Sequence, residues 1–268
     1  MKEIFFSKKV AAGNDFILVD NRRRILTDWA KAARKFCRRR FSVGADGLIL
    51  LERSKKADIR MRIFNPDGSQ AQMCGNGVRC LAKFALERKI ARREHTIETL
   101  AGVIEARVTR DTVRARLVTP KNLRLDVPVT VNGAQHRMHL IDTGVPHAVE
   151  LTDRLNQTDV DRLGRILRHH GAFAPKGTNV DFISIGTGNA IEIRTYERGV
   201  EAETLACGTG AAAGALVAAA LEGLKSPVKV KTRGGEILKI YFSKKNGRFD
   251  DVHLEGKIAD SFEGRITW

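Results

Sequence analysis

A four-residue turn, C-G-x-G, occurs twice in this chain, and each time it opens an apolar helical pattern. The first is Cys74-Gly75-Asn76-Gly77, followed by Val-Arg-Cys-Leu-Ala-Lys-Phe-Ala-Leu. The second is Cys207-Gly208-Thr209-Gly210, followed by Ala-Ala-Ala-Gly-Ala-Leu-Val-Ala-Ala-Ala-Leu. They stand 133 residues apart. Two further landmarks keep nearly that spacing. Phe64-Asn65 matches Tyr196-Glu197 at 132 residues, and the turn at Gly13 matches Gly144-Val145-Pro146-His147 at 131. Three landmarks in one order indicate an internal duplication. The period is too long for a solenoid, so it describes two similar domains. The expected domains are 1–119, joined by a C-terminal strand at about 258–268, and 120–257 as its duplicate.

Periodicity fills in the elements. Strand-like runs fall at 3–10, 16–19, 47–51, 59–64, 96–98, 103–108, 112–118, 180–185, 190–195, 228–231 and 237–242. Helical patterns cover 28–36, 77–89, 158–169 and 209–222. The last is apolar all round, as a helix buried on every side must be. The expectation is an α+β fold: two pseudo-symmetric strand-rich domains, each wrapped around a central helix.

Bulk properties exclude more than they identify. Hydrophobic residues make up 43% and charged residues 29%, ordinary for a globular chain. The longest apolar stretch, 211–221, falls well short of the roughly 20 residues of a membrane span. The start shows no apolar core after a basic segment, so a cytoplasmic protein is expected. The net charge of +16 would favour any anionic partner. Aromatics are only 6% and do not alternate with arginine as a base-stacking surface would, which argues against nucleic acid as the main partner. The four cysteines form no C-x-x-C and have no histidine cluster beside them, so no metal site is expected.

A cysteine at a helix start meets unpaired N–H groups and the positive end of the helix dipole, which favour its thiolate. Glycines beside it let those N–H groups reach an anion. Two such sites, one per domain, could hold a carboxylate with a thiol on either side of its α-carbon. One thiolate would remove the α-proton and the other thiol would return one to the opposite face. That chemistry requires neither metal nor pyridoxal phosphate. Cys37 and Cys80 read instead as small core residues.

Phe64-Asn65-Pro66-Asp67-Gly68-Ser69 with Met73-Cys74-Gly75-Asn76-Gly77-Val78-Arg79-Cys80 resembles the first signature of the diaminopimelate epimerase family. Tyr196-Glu197-Arg198-Gly199-Val200-Glu201 with Glu203-Thr204-Leu205-Ala206-Cys207-Gly208-Thr209-Gly210 resembles the second. Gly13-Asn14-Asp15-Phe16, Gly44-Ala45-Asp46-Gly47, Ile97-Glu98-Thr99-Leu100-Ala101-Gly102, Gly144-Val145-Pro146-His147 and Gly177-Thr178-Asn179-Val180-Asp181-Phe182 match as well, in family order. The match runs from about Phe6 to the end of the chain.

The resemblance implies cofactor-independent interconversion of LL- and meso-diaminopimelate, in lysine and peptidoglycan precursor synthesis. It also implies a homodimer and an active site in the cleft between the domains. Carried over by position, Cys74 and Cys207 are the two bases. Amides around Gly75, Asn76, Gly208 and Thr209 would hold the reacting carboxylate. Asn14, Asn65, Asn179, Glu197 and Arg198 would line the substrate site, with His147 beside the reacting centre. An arginine suits the distal carboxylate of such a substrate because its fork binds two oxygens at once. Without the family, Asn14 and Asn65 would read as turn residues serving their own backbone, and Glu197 with Arg198 as a surface pair. Two positions depart from some family members: Gly47 stands where a polar side chain occurs, and Val145 where an asparagine does. The alternatives are a related cofactor-independent racemase for proline, hydroxyproline or histidine, and a basic nucleic-acid-binding protein on the same fold.

Overall fold

The computed structural model describes residues 3–268. The chain divides into two compact units, Met1–Ala115 with Gly256–Trp268, and Arg116–Glu255.

The first unit starts with a hairpin of β1 (Glu3–Ala11) and β2 (Asn14–Asp20). Its two-residue turn, Ala12-Gly13, has positive φ at both positions, the geometry that matches the twist of paired strands. Helix α1 (Trp29–Phe36) carries the chain to β3 (Gly47–Glu52), parallel to β2. Then come β4 (Ile59–Phe64), antiparallel to β3, the short β5 (Gln70–Ala71), and helix α2 (Gly75–Glu87). After it, β6 (Glu94–Thr99) runs parallel to β4, and β7 (Gly102–Val108) and β8 (Thr112–Arg116) continue antiparallel.

The second unit repeats this. A hairpin of β9 (Lys121–Val131) and β10 (Ala134–Asp142) turns at Asn132-Gly133, again with two positive φ values. Next is β11 (Pro146–Leu151), antiparallel to β10. Helix α3 (Val160–Arg168) leads to β12 (Asn179–Gly186), parallel to β11, and β13 (Ala190–Glu197), antiparallel to β12. The short β14 (Ala202–Thr204) precedes helix α4 (Gly208–Leu221). Then β15 (Val228–Lys231) runs parallel to β13, followed by β16 (Ile237–Lys245) and β17 (Arg248–Lys257). The last strand, β18 (Ala259–Thr267), pairs with β1 as β9 pairs with β10. The order and sense of pairing from β1 to β8 are thus those from β10 to β17. The fold is α+β with two pseudo-symmetric halves, each holding one central helix.

Strands β2 and β3 are buried on both faces, as parallel strands usually are. Phe16, Leu18 and Ile49 point to the core around α2, while Ile17, Val19, Leu48 and Leu50 join Phe36 of α1. In the second unit Ala148, Val180, Phe182 and Tyr196 join Val160 and Leu167 of α3. The alternate residues His147, Asp181 and Thr195 are therefore directed to the α4 side of the strands. Helix α4 comes close to those strands because Gly214 has no side chain; a Cβ there would meet methyl groups of Ile183, Ile191 and Ile193 at 3.0–3.2 Å.

The four helices stand within a residue or two of their expected bounds. The strands β9, β10 and β17 were not anticipated by periodicity. Strand β9 does alternate, with Leu123, Leu125, Val127, Val129 and Val131 at every second position, but most of its positions are exposed and Pro128 within the run argues against a central strand. The alternation and the Asn132-Gly133 turn were the available signals.

Candidate active site

Each C-G-x-G turn places its cysteine at a helix N-cap with extended backbone: Cys74 at φ −144°, ψ 120°, and Cys207 at φ −118°, ψ 116°. The residues after them, Gly75-Asn76 and Gly208-Thr209, form the first helical turn, whose N–H groups have no partner within the helix. Gly77 donates its N–H to Cys74 Sγ at 3.5 Å. Cys207 is almost wholly buried, whereas Cys74 is half-buried.

In the first unit the asparagines are held by one another. Asn76 Nδ2 donates to Asn14 Oδ1 at 2.7 Å, and Asn14 Nδ2 donates to Asp46 Oδ2 at 3.1 Å. Arg79 in turn donates to Asn76 Oδ1 at 2.5 Å. Asp46 is a residue that the sequence reading left unassigned, although it lies in the Gly44–Gly47 motif. Asn65 stands apart from this chain. It is exposed, and its side chain donates to Ser69 Oγ at 3.0 Å across the Asn65–Ser69 turn. Gly47 is closely packed: a Cβ would lie 3.1 Å from the Phe64 carbonyl oxygen and 3.3 Å from the Phe16 ring, so a side chain there needs its neighbours to give by a few tenths of an ångström.

Beside Asn14, burial tends to raise Asp15, but hydrogen bonds from Arg39, Lys8 and the Asp46 N–H outweigh it and bring the carboxyl from 3.8 to about 2. A folded-state value below the unfolded one adds stability above pH 3.8 that disappears as the pH falls through 2. With Arg39 exposed to solvent, about 1 kcal/mol is expected. Asp15→Asn should therefore lower the urea midpoint at pH 7 and leave little difference from the wild type near pH 2. Equal differences at both values would contradict this.

In the second unit a hydrogen-bonded chain, half-buried at Thr209 and buried beyond it through His147 and Asp181, leads away from Cys207. Cys207 Sγ lies 3.4 Å from Thr209 Oγ1, which lies 3.0 Å from His147 Nε2. His147 Nδ1 is 2.6 Å from Asp181 Oδ2, and both side chains are fully buried. Thr195 donates its hydroxyl to Asp181 Oδ1 at 2.7 Å. Asn179 Nδ2 donates to the Pro146 carbonyl at 3.1 Å, and Asn179 Oδ1 accepts the Arg198 N–H at 2.8 Å. Asn179 thereby fixes the backbone at Arg198, whose guanidinium donates to the Lys176 carbonyl at 3.4 Å.

The electrostatics at Cys207 depart from the helix-start expectation. Burial pushes its thiol up, and the Glu197 and Asp181 carboxyls push it further. The Thr209 hydroxyl and the Gly210 amide act the other way but are outweighed. Burial raises Glu197 as well, against the opposing pull of Thr204 and His147. Desolvation and two carboxyls thus outweigh the hydrogen bonds at the helix start, and Cys207 rests as a thiol. The sequence reading missed Asp181 and Thr195. The available signal was one aspartate inside an otherwise apolar run, Val180-Asp181-Phe182.

The family described as diaminopimelate epimerase matches residues 6–120 and 139–251. The chain belongs to that family. Among its members, the diaminopimelate epimerase of Aquifex aeolicus (strain VF5) is 43% identical over 98% of this chain and 97% of its own length. That of Chlorobaculum tepidum is 42% identical over 96% and 98%. Solved structures share the family fold at lower identity. A Bacillus anthracis phenazine biosynthesis protein of the PhzF family superposes with a TM-score of 0.78 at 18% identity, with all of both chains covered. A hydroxyproline epimerase from Agrobacterium vitis gives 0.70 at 18%, covering 98% of this chain and 92% of its own. These two likenesses concern the fold alone.

Proposed function

We propose that this protein interconverts LL- and meso-diaminopimelate by two-base proton transfer at the α-carbon, with Cys74 and Cys207 as the bases. The observation that carries the reading is the pair of N-cap cysteines at equivalent places in two duplicated halves, in a chain 43% identical over nearly its full length to a diaminopimelate epimerase. The related racemase reading rests on fold likeness at 18% identity and is the second choice.

In this reading the α-carboxylate is held by amides at Gly75-Asn76 and Gly208-Thr209. Negative charge that develops as the α-proton leaves is met by these fixed N–H groups. One cysteine takes the proton as thiolate, and the other, as thiol, protonates the opposite face. Which cysteine is the base changes with the direction of the reaction. Arg198 takes the distal carboxylate, Glu197 and the asparagines accept from the ammonium groups, and His147 acts beside Cys207. No metal and no pyridoxal phosphate enters the reaction. The family resemblance further implies a homodimer, which light scattering tests, and a cytoplasmic biosynthetic role.

The deciding experiment follows α-proton exchange. Reduced protein is incubated with LL-diaminopimelate in D2O without added cofactor, and deuterium at the α-carbon is measured with the appearance of the meso isomer. Deuterium uptake with inversion is the expected result. Exchange of proline or hydroxyproline instead would establish the racemase reading, and no exchange with any amino acid would overturn both.

A further inference from the structure

The start of α4 rests on a polar floor where the start of α2 rests on an apolar one. In the first unit a Cβ at Gly77 would meet Ile49 and Ile63, a cross-strand pair of β3 and β4. In the second unit a Cβ at Gly210 would meet Asp181 Oδ1 and Thr195 Oγ1, the corresponding pair of β12 and β13. One strand further, β2 places Phe16 opposite Gly47, and β11 places His147 opposite Asn179. The two halves share one topology, so Ile, Ile and Phe suffice to build it. Burying Asp181 and His147 costs desolvation that the apolar set avoids. The polar set must therefore answer to a demand other than folding.

Its hydrogen bonds have a defined direction. A carboxylate only accepts, so His147 carries its proton on Nδ1, against Asp181 Oδ2. Nε2 then offers a lone pair to the Thr209 hydroxyl at 3.0 Å, with Asn179 Nδ2 also facing it at 3.4 Å. The Thr209 oxygen is left to accept from the Cys207 thiol at 3.4 Å.

We propose that the Thr209 hydroxyl relays a proton between Cys207 and His147, with Asp181 as the positioning residue that sets the imidazole for it. The Cys207 S–H bond breaks and its proton passes to Thr209 Oγ1. The proton already on Oγ1 passes to His147 Nε2. Sulfur keeps the electron pair as thiolate, and the imidazolium is compensated by the Asp181 carboxylate. The same heavy-atom positions serve the return step, with every bond reversed. The relay gives Cys207, raised by burial, Glu197 and Asp181, a way to reach the thiolate that one direction of the reaction requires.

This rests on the epimerase reading above, and its test separates the two. In protein labelled with 15N-histidine, NMR of the ligand-free state should show His147 protonated at Nδ1. Asp181→Asn, whose amide can donate to Nδ1, should move that proton to Nε2. For the relay itself, Thr209→Val is expected to lower kcat for α-proton exchange at least tenfold with KM little changed. Thr209→Ser, which keeps the hydroxyl, should recover most of that loss. A kcat for Thr209→Val within twofold of wild type, a loss confined to KM, or His147 protonated at Nε2 in the wild type would each overturn the relay. A wild type that exchanges no α-proton overturns the epimerase reading and the relay with it. If Asp181→Asn fails to fold, the valine and serine pair still decides.

Discussion

Serine in place of Cys74 or of Cys207 is expected to lower kcat for epimerisation by about three orders of magnitude. The substitution keeps size and N-cap geometry but replaces a thiol with an alcohol that is a far weaker acid. At neutral pH the alkoxide is not available as a base, so the half-reaction that needs it stalls. Both positions are helix N-caps, where serine is itself a good cap, so the fold should persist. Cys37→Ser and Cys80→Ser form the contrast. Both thiols lie inside hydrophobic clusters, at 3% and 0% exposure. Burying a hydroxyl there should cost stability, about 1–2 kcal/mol each, with kcat within about twofold of the wild type. Steady-state rates and thermal midpoints of the four variants test the pattern. A Cys74 or Cys207 variant that keeps a tenth of the wild-type rate would exclude that cysteine as a base.

Gly210→Ala is the second substitution with a large expected effect, and here the effect falls on stability. The new Cβ would stand 2.5 Å from Asp181 Oδ1 and 3.1 Å from Thr195 Oγ1. Neither partner moves freely. Asp181 is fully buried and engaged by His147 and Thr195, in strands bonded on both sides. Either α4 lifts from its sheet or the carboxylate gives up a hydrogen bond. A cost of about 3 kcal/mol follows from overpacking and a broken buried bond. Gly75→Ala provides the comparison, since a Cβ there meets nothing within 4 Å and should cost less than about 1 kcal/mol. Denaturant unfolding of both variants measures the difference, and equal midpoints would contradict the close approach at Gly210.

The helices and most strands were legible in the sequence because their apolar periods are strong. Helix α4 is the clearest case, with a composition that only a central position satisfies. Strand β9 was legible as alternation from Leu123 to Val131, but the proline within the run masked it, since a proline supplies no ladder N–H and fits only an edge strand. The side-chain chemistry divides in the same way. Cys74 and Cys207 announced themselves through repetition of a local motif. Asp46, Asp181 and Thr195 did not, since each matters through a partner distant in sequence. Asp181 reaches His147 because β11 and β12 run parallel in a register that sets Val149 beside Asp181. Asn65 shows the converse: the family resemblance assigns it to the substrate site, its sequence neighbours alone suggest a turn, and its side chain donates to Ser69 of that turn.

By itself the sequence determined the duplication, the two helix starts and the family, because each is written in contiguous residues. The protonation of Cys207 was decided only by the tertiary structure. A helix start favours a thiolate, and local sequence contains nothing to oppose it. Burial of Cys207 and the approach of Glu197 and Asp181 reverse that preference, and all three arise only once the strands have brought separate residues together.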